Sequence, residues 1–319
     1  MTAPLDTDFQ EKLEAAISGG ASVTDSHLHV VERDLVVDGT KTTAHCYIPT
    51  LDGNGRLRIK LLVEFLRNRV VEYAVPPSKL QQAKKELNET GSPAALAKLH
   101  EEAKRSFTSL KTTGEGGEFL LFALAEKEFK LKQILCKMRL KTSSSMHYHG
   151  ADGVYASGGE DGYFNLFWGE SKVYADAKKA IKACLKSLAP FLTEELGEDA
   201  ENARDILLLN EYSDLADGHL ETVIKSFLSP DDPASKKLRL CGFALVGFDD
   251  EAFPSEGETA DFNQIVSTIQ GQLDNWKKYI GKRVEAENLK VFDIHFVCIP
   301  MRSVEDFRAY FLESLGVAK

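Results

Sequence analysis

The chain of 319 residues lacks the features that mark several classes of protein. No apolar run approaches the ~20 residues that a membrane-spanning helix needs, and the N-terminus has neither the basic start nor the apolar stretch of a secretory signal. The five cysteines are scattered, with no Cys-x-x-Cys pair, which argues against a disulfide framework or a zinc ribbon. We therefore expect a cytoplasmic protein, not associated with a membrane, whose cysteines pack as small apolar side chains.

Basic residues are in short supply: 39 lysines and arginines stand against 49 acidic residues, a net charge of −10. A protein that holds nucleic acid unaided is usually basic, because its cations neutralise phosphates. The charge is uneven, however, since residues 126–141 are mostly basic and residues 193–261 are strongly acidic. Two interpretations stay open: solvated faces of opposite sign, or a phosphate-binding track beside an acidic surface for a partner.

Nucleotide-binding loops are missing as well. The glycine-rich segment 114–117 lacks both the Gly-Lys-Ser/Thr end of a Walker loop and the spacing of a dinucleotide-binding loop. We interpret it as the entry to a helix and as the clearest boundary in the chain. It separates an N-terminal α/β region, residues 1–110, from a core, residues 111–319. Because residues 1–110 are a long segment without candidate catalytic residues, we hypothesise that they bind a partner protein.

The chain does contain the alternating elements of an α/β protein, with an ordinary hydrophobic content of 43%. Apolar spacing predicts helices at 6–18, 57–75, much of 80–110, 118–129, 176–192, 200–228, 262–284 and 304–315, and strands at 22–30, 42–48, 134–142, 150–156, 163–173, 238–248 and 291–299. The segment 134–142 alternates like a strand, although 131–138 also fits helical spacing. The order of elements after residue 118 indicates a mixed sheet flanked by helices.

Three acidic residues and a lysine stand out in the middle of the chain. Glu118 opens an apolar helix, Asp152 lies on one strand, and Glu170 and Lys172 lie on the next. Residues two apart on a strand point to the same face, so Glu170 and Lys172 project together. A hairpin centred near residues 160–161 places Asp152 beside residues 168–170. Glu118, on the apolar face of its helix, is expected to point toward the same sheet.

This set of residues predicts a metal-dependent phosphodiesterase. Carboxylates that meet at a partly desolvated site raise each other's pKa, and a bound cation removes the repulsion between them. Oxygen ligands with open water positions suit Mg²⁺ or Mn²⁺. We predict that Asp152, Glu170 and the backbone carbonyl of Ser171 hold the metal. Glu118 is expected to be a further ligand, direct or through water, and Lys172 to orient the attacking water and offset charge on phosphorus.

A Glu-x-Lys pair on its own is more often an exposed cross-strand ion pair than a catalytic element. Here the apolar strand 163–169 runs directly into Glu170, which favours the catalytic interpretation. Contacts with DNA are expected from four side chains near the motif: Lys137, Arg139, Lys141 and His149. Plain surface histidines are the alternative for His147 and His149, and a zinc site lacks a third ligand nearby.

Four short runs carry a resemblance to a known family. They are Gly117-Glu118-Phe119-Leu120-Leu121, Lys137-Met138 with Lys141, His149-Gly150-Ala151-Asp152-Gly153-Val154, and Trp168-Gly169-Glu170-Ser171-Lys172. In these runs the chain resembles the nuclease subunit, or A component, of the Hachiman anti-phage defence systems and of the similar AbpAB-type pair. The resemblance is strongest over residues 114–190, weaker over 238–312, and only an outline over 1–110.

The resemblance implies a PD-(D/E)xK restriction-endonuclease-like core and a metal-dependent DNA nuclease, which acts in antiviral defence with a superfamily 2 helicase. It places the family's catalytic residues on Glu118, Asp152, Glu170 and Lys172, with Ala151 where the superfamily name has proline. The helicase would supply most of the DNA affinity and restrain the nuclease. Two alternatives stay open: a catalytically silent adaptor or DNA-end sensor, to which the net charge points, and a nuclease for RNA or modified DNA.

Overall fold

The computed structural model describes residues 7–17, 22–24, 26–107, 114–140, 150–159, 162–194 and 202–316. Its strands are β1 (Leu28–Val36), β2 (Thr42–Pro49), β3 (Lys132–Gln133), β4 (Gly153–Gly158), β5 (Phe164–Val173), β6 (Leu238–Asp249) and β7 (Ile294–Met301). Its helices are α1 (Thr7–Ala15), α2 (Ile59–Arg67), α3 (Val70–Ala74), α4 (Pro77–Thr90), α5 (Ala94–Arg105), α6 (Glu115–Lys127), α7 (Ala177–Thr193), α8 (Ala203–Tyr212), α9 (Gly218–Leu228), α10 (Phe262–Ala286) and α11 (Val304–Leu315).

The strands form one seven-stranded sheet in the order β1-β2-β7-β6-β5-β4-β3. The four central strands β2, β7, β6 and β5 are parallel, and β1, β4 and β3 pair antiparallel at the two sides. Eight consecutive residues of β6 are buried, as expected for a parallel strand covered by helices on both faces. The predicted mixed α/β architecture, a sheet flanked by helices, is confirmed.

Alternate residues of β5 enter two different cores, because successive side chains on a strand point to opposite faces. Trp168 belongs to the core that α7, α8 and α9 cover. Phe167 belongs to the core that α6 covers. By the same alternation, Glu170 and Lys172 share the face of Trp168, and Ser171 shares the face of Phe167. The sheet therefore presents the Glu-x-Lys pair to α7.

Helix α6 is enclosed on all sides. Every residue of the helix is described, and all are buried except the half-buried Glu118. Tyr73 of α3 stacks on Phe119, with ring centroids 4.7 Å apart. Leu121, which shares the helix face of Glu118, lies against β5, since its Cδ2 is 3.0 Å from where a Cβ on Gly169 would stand. Glu118 is the least buried position of a helix that is otherwise buried all round.

Several predicted elements differ from those observed. The strand predicted at 134–142 is wrong: only Lys132 and Gln133 pair with β4, and Lys137–Leu140 form a 3₁₀ turn. Lys132, one of the lysines in the basic run at 126–141, turns inward rather than toward solvent. It pairs with the buried Glu126 at 2.8 Å. The strand predicted at 22–30 begins only at Leu28.

Two predicted helices are each divided in two. The helix predicted at 57–75 forms α2 and α3, and the helix predicted at 200–228 forms α8 and α9. The second division has a local cause. Ala216 adopts a φ of 57°, and the Asp217 side chain then caps α9 by accepting hydrogen bonds from the backbone N–H groups of His219 and Leu220.

Residues on the two sides of position 110 share one sheet. β2 pairs with β7 in parallel register from Thr42↔Ile294 to Cys46↔Cys298. A separate partner-binding role for residues 1–110 stays a prediction. In the described ranges, no helix combines the length and the apolar character that crossing a membrane requires.

Candidate functional site

The hairpin of β4 and β5 brings Asp152 to the Glu-x-Lys pair. Gly153 pairs with Gly169, and the Asp152 backbone N–H donates to the Gly169 carbonyl at 2.9 Å. Both glycines leave room for the Tyr155 ring, because a Cβ on Gly153 would lie 2.4 Å from the Tyr155 hydroxyl and a Cβ on Gly169 would lie 2.8 Å from a ring carbon. The predicted neighbourhood of Asp152 and Glu170 is confirmed, while their role as metal ligands stays a prediction.

Ser171 holds the Asp152 carboxylate in place. The Ser171 backbone N–H and its hydroxyl both donate to Asp152 Oδ2, each at 2.8 Å. The sequence had indicated only the backbone carbonyl of Ser171 as a functional group. Its N–H and hydroxyl fix one oxygen of Asp152.

The Glu170 carboxyl group is buried and desolvated. It is 4% exposed and lies beneath α7, where the Cys184 thiol donates to its backbone carbonyl at 3.3 Å and Ser187 hydrogen-bonds to its side chain. Burial, and then the charge of Asp152, raise the pKa of Glu170 from 4.5 to about 8, against the opposing effect of Lys172. Two carboxylates therefore stand close together without full charge compensation.

Lys172 supplies a fixed positive charge beside this pair. Its ammonium group donates to Glu170 Oε1, and the two groups form an ion pair when Glu170 is ionised. Burial favours the neutral amine, but the charges of Glu170 and Asp152 outweigh burial and raise the pKa of Lys172 above 10.5. The ammonium is thus held in place and protonated.

Glu118 approaches from the α6 side of the sheet. Tyr73 donates its hydroxyl to Glu118 Oε2 at 3.5 Å. Burial, followed by the charge of Glu118 and with a smaller effect of Asp152, raises the pKa of Tyr73 well above its ordinary value. The preceding residue lies close to β5, because a Cβ on Gly117 would be 3.3 Å from the Ser171 hydroxyl. Glu118 is therefore near the site but on the other face from Glu170.

The structure joins Asp152, Glu170 and Lys172, and it places Glu118 on α6, where its charge and that of Asp152 both act on Tyr73. Within the part of the chain that is described, no three histidine, cysteine or acidic side chains form a group that could hold a metal ion. The oxygens that could take part in metal binding are those of Asp152, Glu170 and the Ser171 carbonyl. Such hard donors fit Mg²⁺ or Mn²⁺, which keep several water ligands.

A buried ion pair that the sequence did not indicate lies behind Asp152. Asp205 of α8 is fully buried, and its Oδ2 accepts from the Ala151 N–H at 3.0 Å and from Lys137 Nζ at 2.7 Å. Lys137 also donates to the Ala151 carbonyl. Gly150, with a φ of 128°, would bring a Cβ to 2.6 Å from Asp205 Oδ1. Because Lys137 and Asp205 are 68 residues apart, no local pattern predicts their pairing.

Three of the four described lysines in the basic run at 126–141 lie in ion pairs inside the protein. Lys127 lies 3.8 Å from Glu72, and Lys132 and Lys137 form the pairs with Glu126 and Asp205. These three side chains line no phosphate-binding track. Of the other residues expected to contact DNA, the Arg139 side chain, Lys141 and His149 lie outside the described residues, as does His147.

The fold and these side chains define a class of α/β protein. In this class an aspartate, a glutamate and a lysine lie together on a β-hairpin, and one strand of that hairpin also belongs to the parallel part of the sheet. A comparison with family models then identifies the chain. The model described as HamA matches residues 25–315, and the chain belongs to the HamA family. It is thus a component of a Hachiman anti-phage defence system. No curated protein matches the chain.

Proposed function

We propose that this HamA protein is a Mg²⁺-dependent DNA nuclease with a PD-(D/E)xK core. One observation carries the proposal: the Glu170 carboxyl group, 4% exposed, is bound by the Lys172 ammonium and lies beside Asp152, whose carboxylate Ser171 holds with two hydrogen bonds. Natural proteins rarely bury a carboxyl group in this way without a functional reason, and strongly perturbed pKa values cluster at functional sites.

Asp152, Glu170 and the Ser171 carbonyl are the residues that would hold the cation. When bound, Mg²⁺ or Mn²⁺ would polarise the scissile phosphate and lower the pKa of a water molecule. The same positive charge would favour the ionised form of Glu170. Glu118 would be a further ligand, direct or through water.

The chain's own residues then have distinct tasks. The two hydrogen bonds from Ser171 orient the Asp152 carboxylate. Lys172, kept protonated by its acidic neighbours, would orient the attacking water and offset the negative charge that develops on phosphorus. Hydrolysis would read the phosphodiester backbone rather than the bases.

A superfamily 2 helicase is the proposed partner. The net charge of −10 limits the affinity that this chain alone can have for a polyanion. A helicase that binds DNA would deliver the strand to the nuclease and restrain it in the absence of phage. The acidic residues of the 193–261 segment support a surface that rejects DNA until the partner delivers it.

The test is cleavage of plasmid DNA with Mg²⁺ and with EDTA, by the chain alone and with its helicase and ATP. We expect metal-dependent cleavage that Glu170→Ala and Lys172→Ala each abolish while both variants keep a cooperative unfolding transition. Glu86→Ala, at an exposed position on α4, is the matched control and should cleave normally. Full activity of both site variants would reject the assignment of the site.

The second candidate is a silent adaptor that uses the fold to hold its partner or to sense DNA ends. The net charge of −10 favours it, together with the finding that no group of three metal ligands forms among the described residues. An adaptor should show no rise in melting temperature with Mg²⁺ or Mn²⁺, whereas the nuclease should show one that Glu170→Ala removes.

A further inference from the structure

Helix α7 is a cationic helix in an acidic protein. Over its 17 residues it has four lysines and no acidic residue. Lys178, Lys182 and Lys186 recur every four residues and so form one row along the helix. Lys178 and Lys179 lie in the first turn, where the positive end of the helix dipole disfavours cations. An anion lying on this row would relieve that repulsion.

Helix α10 supplies a second cationic row beside the first. Lys278 and Lys282 are exposed and four residues apart, and α10 packs against α7. The groove between the two helices has a volume of about 630 Å³, and Lys178, Lys278 and Lys282 line it. None of these three ammonium groups forms an ion pair with a carboxylate of the described ranges.

The remaining lining of the groove suits a nucleic-acid strand. Trp276 and Tyr279 provide flat apolar surface, and Lys178 Nζ lies 5.9 Å from the centre of the Tyr279 ring. The acidic residue of the lining, Asp176, caps α7 by accepting a hydrogen bond from the Lys179 backbone N–H at 2.6 Å. Aromatic surface beside lysines is the combination with which proteins hold single strands.

The lining of the groove begins four residues after the candidate site along the chain. Asp176 lies four residues after Lys172, so their Cα atoms are at most about 14 Å apart. Successive phosphates of one strand advance about 3.4 Å along a DNA helix. A strand in the groove would therefore reach the Glu170–Lys172 pair within roughly four or five nucleotides.

We propose that the groove between α7 and α10 binds the phosphodiester backbone of a DNA strand, with Lys178, Lys278 and Lys282 as its phosphate contacts. The inference rests on the proposed nuclease function and names the surface that holds its substrate. The phosphate-binding surface is thus assigned to this groove rather than to the basic run at 126–141, whose described lysines are mostly in internal ion pairs. Binding is independent of base sequence and sensitive to salt.

The test compares two double substitutions with the same change in charge. Lys278→Glu/Lys282→Glu alters the groove, and Lys79→Glu/Lys84→Glu alters exposed lysines of α4. Binding of fluorescent single-stranded and double-stranded DNA to the full chain is measured by anisotropy, in EDTA and over a range of salt concentrations. We expect the α10 variant to lose about tenfold or more in affinity. Its salt slope should fall by roughly 1.4 to 1.8, since each of the two phosphate contacts contributes about 0.7–0.9.

The α4 variant should bind as the unaltered chain does. Equal affinities and slopes for the two variants would overturn the groove assignment, and so would the absence of DNA binding by the unaltered chain. Lys278→Gln/Lys282→Gln, which adds no repulsion, should show a smaller loss in the same direction. DNA held in the groove without any metal-dependent cleavage would leave this inference standing and reject the nuclease.

Discussion

The protonation of Glu170 is the feature at the residue scale with the widest consequences. The folded protein holds this proton up to a pH of about 8, while the unfolded chain releases it near 4.5. Between these values the folded state binds more protons, so the free energy of unfolding falls as pH rises through the window. The site therefore opposes stability at neutral pH, as functional sites commonly do.

Replacing Glu170 with glutamine should remove this pH dependence. We expect Glu170→Gln to match the unaltered protein at pH 5 and to melt about 5 °C higher at pH 8, which corresponds to roughly 2 kcal/mol. Differential scanning fluorimetry from pH 5 to 8.5 measures the melting temperatures of both proteins, with Glu86→Gln as the control at an exposed position. Parallel curves for the two proteins would mean that Glu170 is ionised throughout.

The Lys137–Asp205 pair is the second prediction at this scale. Asp205→Ala leaves a nearly buried ammonium and the Ala151 N–H without their partner, so we expect a loss of about 3–5 kcal/mol in the free energy of unfolding. Lys137→Met/Asp205→Leu removes both charges and should cost much less. Urea denaturation of the single and double variants measures the coupling. Costs that simply add would contradict a coupled pair that holds the backbone before Asp152.

At the scale of elements, the contact of α6 with β5 depends on one glycine. A Cβ at Gly117 would lie 2.7 Å from a methyl group of Val173 and 3.3 Å from the Ser171 hydroxyl. The β-branched Val173 side chain has little rotamer freedom, and a hydrogen bond to Asp152 holds the Ser171 hydroxyl. The close approach therefore joins the packing of the helix to the position of Asp152, which Ser171 holds.

Gly117→Ala should destabilise the fold by about 1–3 kcal/mol through this overpacking and should also lower any cleavage activity. Gly271→Ala is the matched control, because it is also in a helix but has nothing within 4 Å of its new Cβ. We expect it to stabilise by about 0.5–1 kcal/mol. Chemical denaturation of both variants distinguishes the effects. A stabilising Gly117→Ala would show that α6 is not in tight contact.

At the scale of the whole molecule, the sheet runs through both segments of the chain. β1 and β2 cover the edge of β7, and Tyr73 of α3 stacks on Phe119 of α6. Deleting residues 1–110 would expose a strand edge and an apolar helix at once. A partner-binding role for this segment is therefore better tested by substitutions on the exposed sides of α4 and α5 than by truncation.

The charge of the whole molecule also has a spatial order. The acidic excess gives a net charge of −10, yet α7 and α10 present lysines side by side at one groove. A protein of this kind can hold a nucleic-acid strand locally while its remaining surface repels one. Partner-assisted delivery of the substrate agrees with that distribution.

The sequence by itself determined the mixed α/β class, most of the helices and strands, and the pairing that sets Asp152 beside Glu170. These follow from backbone periodicity and hairpin geometry, which act over a few residues. Only the tertiary structure decided that Glu118 lies on the other face, that Lys137 pairs with Asp205, and that α7 and α10 share a groove. Each of these joins side chains far apart in the chain, and the packing of helices on a sheet sets such contacts rather than any local pattern.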